Sequence, residues 1–218
     1  MQNNVSGNGS RQPRRHGRGG GIRWIILVGF AIYGGCYYFS NRSVDPYTGQ
    51  KVLIDAGLDA GQEKALGLQA YQQILSQERP LDPAAPQVQQ VRAIAQRLIA
   101  RVPEVETALA AENGLQAGHF SRDFDWEVNV IASDQANAFC LPGGKMAVYT
   151  GLLPVAQTAD ALAVVMGHEI AHALLRHGAQ RMAQQKLTQI GEMAGAASGR
   201  DAQQRQTLLA GRGYGYCL

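Results

Sequence analysis

The sequence predicts an α+β fold, predominantly helical, in which a small antiparallel sheet packs beside a helix bearing two histidines one turn apart. One transmembrane helix is expected in front of it. Three observations carry this. Apolar residues recur at helical spacing over 63–77, 88–102 and 161–175, the pattern shifts to a period of two between 124 and 149, and residues 22–39 form a nearly uninterrupted apolar run. With 218 residues there is room for one folded domain plus extensions.

The net charge of +3 is unevenly spread. Residues 1–23 hold Arg11, Arg14, Arg15, Arg18 and Arg23 and no acidic residue; removing those five leaves fifteen basic residues against seventeen acidic. The body is therefore slightly acidic, which argues against a nucleic-acid partner, since that would need a basic face on the folded part. The Gly-, Asn- and Arg-rich stretch 1–21 reads as a disordered basic tail.

Residues 22–40 read as a membrane anchor. Eighteen helical residues span about 27 Å, the short end of what crosses a bilayer core. Trp24 stands at one end and Tyr37 and Tyr38 at the other, where amphipathic rings favour the interface. The arginines ahead of the run predict a cytoplasmic N-terminus and a body across the membrane. A cleaved signal peptide is one rival, although no small-x-small site closes the segment. Lipidation of Cys36 is another, with Tyr33 where an aliphatic residue would be expected. Residues 41–61, with Asp45-Pro46 and Thr48-Gly49, read as a linker, and the remainder, 62–218, as the domain.

Within the domain, Leu66, Tyr71, Ile74 and Leu75 mark one helix over 63–77. Val88, Val91, Ile94, Ala95, Leu98, Ile99 and Val102 mark a second, expected to stop at Pro103. Trp126, Val128, Val130 and Ala132 alternate as a half-buried strand; 136–141 and 146–149 are further extended pieces around the turn Pro142-Gly143-Gly144. An exposed edge of such a sheet can hold an extended polypeptide through main-chain hydrogen bonds.

The next helix is punctuated by Thr158 as a cap, Asp160 in its first turn, and Arg176, His177 and Gly178 at its end. It carries His168-Glu169-Ile170-Ala171-His172. Histidines four residues apart project about 40° apart and about 6 Å along the axis, so they can share one metal ion. The neighbours of Glu169 three and four residues away are Val165, Met166, His172 and Ala173, none of which can neutralise a carboxylate. A divalent zinc ion between the imidazoles removes that difficulty and gives Glu169 a water to deprotonate. The bland alternative is a hydrogen bond between His172 and Glu169. Cys140 reads as a small buried hydrophobe rather than a nucleophile, and Cys36, Cys140 and Cys217 suggest no disulfide framework.

Three stretches together resemble a known family: Asn137-Ala138-Phe139-Cys140-Leu141-Pro142-Gly143-Gly144, Val148-Tyr149-Thr150-Gly151-Leu152-Leu153, and the HEIAH helix. This is the group of membrane-associated zinc metallopeptidases that includes HtpX and the Ste-type CAAX prenyl proteases, with the bacterial single-anchor periplasmic members most similar. The resemblance implies a gluzincin-type fold, one zinc per chain on His168 and His172, and Glu169 as general base. It further implies unfolded or damaged polypeptides as substrates, a bacterial inner-membrane location with the catalytic domain in the periplasm, and a part in envelope protein quality control.

The family draws its third zinc ligand from a glutamate on a helix well downstream, and no such motif follows here. The resemblance therefore implies a domain incomplete at its C-terminus. Glu192 fits poorly: if the chain reverses at Gly178, it would miss His172 by about two helical turns. His177, about 140° around a continuous helix from His172, suits the helix C-terminus better, and Cys217 is a possible soft ligand in the tail. Two histidines alone hold zinc weakly. A second function class therefore stays open, a catalytically inactive, membrane-tethered protein that binds extended polypeptide.

Overall fold

The computed structural model describes residues 20–197. Most of the basic tail 1–21, and the end 198–218 with Cys217, lie outside the described residues; Gly20 and Gly21 begin the first helix. In chain order the elements are helix α1 (Gly20–Ser40), strands β1 (Arg42–Val44) and β2 (Lys51–Leu53), helices α2 (Ala60–Gln77) and α3 (Pro86–Glu112), and strands β3 (Glu127–Ile131), β4 (Ala138–Leu141) and β5 (Lys145–Tyr149). Helices α4 (Leu153–Ala156), α5 (Ala159–Leu174) and α6 (His177–Ala197) follow.

The apolar run at the start is helical, as expected, but it does not stand alone. α1 lies along α6, with Gly34 facing the Ile190 and Leu187 side chains. Its opposite face leaves Trp24, Ile25, Ile32 and Phe39 exposed. Among the described residues no helix is long and apolar enough to cross a membrane; the expected span over 22–40 begins at residues 22 and 23, whose side chains lie outside the described ones, and from Trp24 onward α1 is packed on one side and apolar on the other.

The stretch expected as a linker is an ordered hairpin, β1 pairing antiparallel with β2. Its turn is built by Asp45, whose Oδ1 accepts from the Tyr47 and Thr48 backbone N–H groups at 3.0 and 2.7 Å. The hairpin plugs Tyr47 into the core, where its hydroxyl donates to Glu106 at 2.6 Å. Glu106, fully buried, also accepts from the Ser121 backbone and hydroxyl. These bonds explain why α3 runs through Pro103 rather than stopping there. The lost hydrogen bond and the ring clash cost about 3 kcal/mol. Burial of Val102, Glu106 and Ala110 on one face holds the continuation in place.

The sheet order is β3-β5-β4. β4 and β5 form the expected antiparallel hairpin, but β3 pairs parallel with β5. The sheet is mixed, not antiparallel as the period-two pattern suggested. After β3 the chain crosses to the far edge, lays down β4, and returns β5 into the gap. Gly143 and Gly144, at φ of 84° and 83°, make that return in a conformation other residues rarely adopt.

Both sheet faces are covered. Val130, Met146, Val148 and Cys140 join Val88, Val91, Ile94, Met166 and Ile170 of α3 and α5 in the main core. Ile131, Ala147 and Tyr149 meet Tyr71 of α2 on the other side, so Ile131, expected to face outward, is buried. α2 turns Glu63, Gly67 and Tyr71 inward and leaves Leu66 exposed, because a Cβ at position 67 would collide with the Pro142 carbonyl. Its start is held by a capping box between Asp59 and Gln62.

Candidate metal centre

The first turn of α5 is the one the sequence predicts: the Thr158 hydroxyl accepts from the Ala161 N–H at 3.1 Å, and Asp160 sits at the positive end of the dipole. One stripe of α5 (Leu162, Met166, Ile170, Ala173) is anchored in the core. The next stripe therefore emerges at the surface. It carries His168, exposed, with Glu169 and His172 half-buried.

The three residues singled out in the sequence come together. His168 Nε2 and His172 Nε2 are 2.9 Å apart, their rings nearly perpendicular with centroids 4.4 Å apart. A ligand atom from each of His168, Glu169 and His172 falls within 4.8 Å of the other two, and no other such group occurs among the described residues. Two nitrogens about 2.0–2.1 Å from a tetrahedral zinc would be roughly 3.3 Å apart. A small ring rotation closes the difference, so the pair fits the ion implied by the motif. The bland alternative of a His172–Glu169 hydrogen bond is not what forms; the ring nitrogens of His172 face His168 and His177.

Electrostatics favour the same chemistry. Burial pushes the Glu169 carboxyl above its usual range, and proximity to His168 partly offsets this. Burial, then His177, His168 and Arg181, pull the His172 imidazole down, which keeps it neutral with a lone pair to offer. Cys140, beneath the cluster in β4, is a free, buried thiol pushed up to about 12 by burial and by Glu169, and so is inert as a nucleophile.

The end of α5 departs from the expectation. The stop is not Gly178. α5 ends at Leu174, and Arg176 takes the left-handed conformation at φ 54° before α6 begins at His177. Arg176 is held there by distant groups: its Nε donates to Glu63 Oε2 at 2.7 Å, its Nη2 to the Leu58 carbonyl at 3.4 Å, and its guanidinium lies over Phe120. The break undoes the 140° offset of a continuous helix. His177 does not serve the helix end; its Nδ1 meets Nδ1 of His172, with ring centroids 4.7 Å apart. Its five-residue spacing after His172 was the one sequence signal, and helical geometry concealed it. Glu192 is exposed on α6 and outside the cluster.

β4 is an outer strand lying along α5, and among the described residues β5 is the only strand that pairs with it. The other outer strand, β3, is capped by the segment at Arg79–Leu81, through Leu81 N–H to Val130 O and Ala132 N–H to Arg79 O. The free edge is thus on the side of the histidine pair.

Comparison with known proteins agrees with this geometry. Residues 100–211 match the model of peptidase family M48. The chain is 33% identical over 164 residues to the mitochondrial metalloendopeptidase OMA1 of Schizosaccharomyces pombe, covering 74% of this chain and 43% of that protein. It is 29% identical over 163 residues to the mitochondrial metalloendopeptidase OMA1 of Homo sapiens, covering 73% and 28%. It is 30% identical over 154 residues to the β-barrel assembly-enhancing protease of Yersinia pestis, covering 65% and 28%. The chain spans less than half the length of each of these relatives, and their names are not those of the HtpX and Ste-type members that its motifs resemble. The chain belongs to peptidase family M48.

Proposed function

We propose that this chain is a zinc-dependent endopeptidase domain, with zinc held on His168 and His172 and Glu169 as general base. The observation that carries it is the convergence of two imidazole nitrogens and one half-buried carboxylate at the free edge of the sheet. When bound, zinc would polarise the scissile carbonyl and make water a better nucleophile. An extended polypeptide would align along β4 by main-chain hydrogen bonds. Glu169 takes one proton from the attacking water as its oxygen bonds to the carbonyl carbon. It then delivers that proton to the leaving amine nitrogen as the C–N bond breaks. The raised affinity of Glu169 for a proton suits both halves of this transfer.

Unfolded or damaged polypeptides are the proposed substrates, since a strand edge reads backbone rather than sequence. The exposed apolar face of α1 supports association with a membrane. The arginines ahead of it support a cytoplasmic N-terminus and a periplasmic domain at the bacterial inner membrane, in envelope quality control. The resemblance to HtpX and Ste-type enzymes belongs to the same proposal. Glu169→Gln should abolish cleavage of an unfolded protein while leaving zinc bound, whereas unchanged cleavage would remove Glu169 from the role.

A further inference from the structure

The His172–His177 contact has no part in the proton transfer above, yet it fixes a ring on which that transfer depends. Nε2 of His172 faces His168, the side on which the metal would be shared. A neutral imidazole that offers Nε2 as a lone pair carries its single proton on Nδ1. That Nδ1 meets Nδ1 of His177, which must then be the acceptor. We propose that His177 is a positioning residue for the metal site, accepting the Nδ1–H of His172 and thereby fixing the tautomer and ring plane that aim Nε2 at zinc. The inference rests on the zinc reading of the cluster.

Two further observations support it. Metal-bound histidines generally give their second ring N–H to a fixed acceptor, and loss of that acceptor costs about 10–100-fold in metal affinity. In addition, the chain accepts a left-handed arginine to bring this acceptor into place. A non-glycine residue at φ 54° is uncommon, and here the Glu63 carboxylate, 113 residues away, and the Leu58 carbonyl hold it. A continuous helix would carry His177 away from His172. The Nδ1 contact also sets His177 on the far side of the His172 ring from His168, and it is not in the His168–Glu169–His172 group. Its place is behind a ligand, not among the ligands.

The test is zinc affinity of the purified full chain, by competition with a fluorescent chelator, for the wild type, His177→Phe, His177→Asn and His168→Ala. Phe keeps the ring and removes the acceptor. Asn puts an amide oxygen at the same bond separation from the backbone as Nδ1. The expected result is a 10–100-fold weaker Kd for His177→Phe, near-complete recovery in His177→Asn, and the same metal-free thermal midpoint for the wild type and both His177 variants. Long-range nitrogen–proton spectra of the zinc-loaded wild type should show His172 protonated at Nδ1. Equal affinity in His177→Phe and wild type would overturn the positioning role, as would equal losses in Phe and Asn. A wild type that binds zinc no better than His168→Ala would instead overturn the zinc reading beneath it.

Discussion

The two ends of α5 are built by different means. At the N-terminus a threonine hydroxyl three residues from its partner N–H sets the boundary, and the whole device lies within four consecutive residues. At the C-terminus the boundary is set by an arginine whose carboxylate partner is 113 residues away. The first end only starts the helix; the second also decides where His177 points. Short-range chemistry places the HExxH residues on one face, and long-range chemistry completes their surroundings.

That contrast predicts unequal responses to mutation. The largest should come from Glu63→Ala. It strands Arg176, whose side chain is 19% exposed, against an emptied partner site. Breaking a buried pair in this way costs about 3–5 kcal/mol; partial access to water puts the expectation at the lower end, read as a fall in the urea midpoint. Zinc affinity should fall too as His177 is released. A stability loss with unchanged zinc affinity would separate the junction from the site. Thr158→Ala should cost about 1 kcal/mol, typical of a lost N-cap, and leave zinc affinity as it was. If Thr158→Ala perturbed zinc binding as strongly as Glu63→Ala, the two ends would not differ in the way described.

A smaller effect concerns pH. His172 and His177 are both held below the usual histidine range, chiefly by burial. The unfolded chain therefore binds more protons than the folded one as pH drops below about 6.5. Their contribution to metal-free stability is present above that pH and is lost as pH falls through the folded values. Glu169 has the opposite sign: its raised affinity for a proton stabilises at acid pH and is lost as pH rises. Glu169→Gln should accordingly raise the metal-free unfolding midpoint at neutral pH while removing activity. A lower midpoint in that variant would mean the carboxylate is not penalised by burial.

The same distinction between local and distant causes separates what could be read from the chain. The cap at Thr158, the buried stripe of α3, the glycine turn at Gly143-Gly144 and the cluster of His168, Glu169 and His172 each depend on neighbours in sequence, and each was legible. Passage of α3 through Pro103 was not, because the Tyr47 and Ser121 groups that hold Glu106 come from elsewhere in the chain. Nor was the parallel pairing of β3 with β5, since a period of two says which face is buried and not which strand lies alongside. The hairpin at 42–53 looks like a linker in the sequence because its strands are three residues long, too short to show a period. The place of His177 was not legible either, because the left-handed turn at Arg176 is held by Glu63 and the Leu58 carbonyl, far back in the chain.

The most direct measurement of the central claim is a zinc titration of the full chain beside His168→Ala and His172→Ala. Saturation at one zinc per chain, with binding weakened in both variants, is the result this account predicts. An isotherm that neither substitution changes would contradict it.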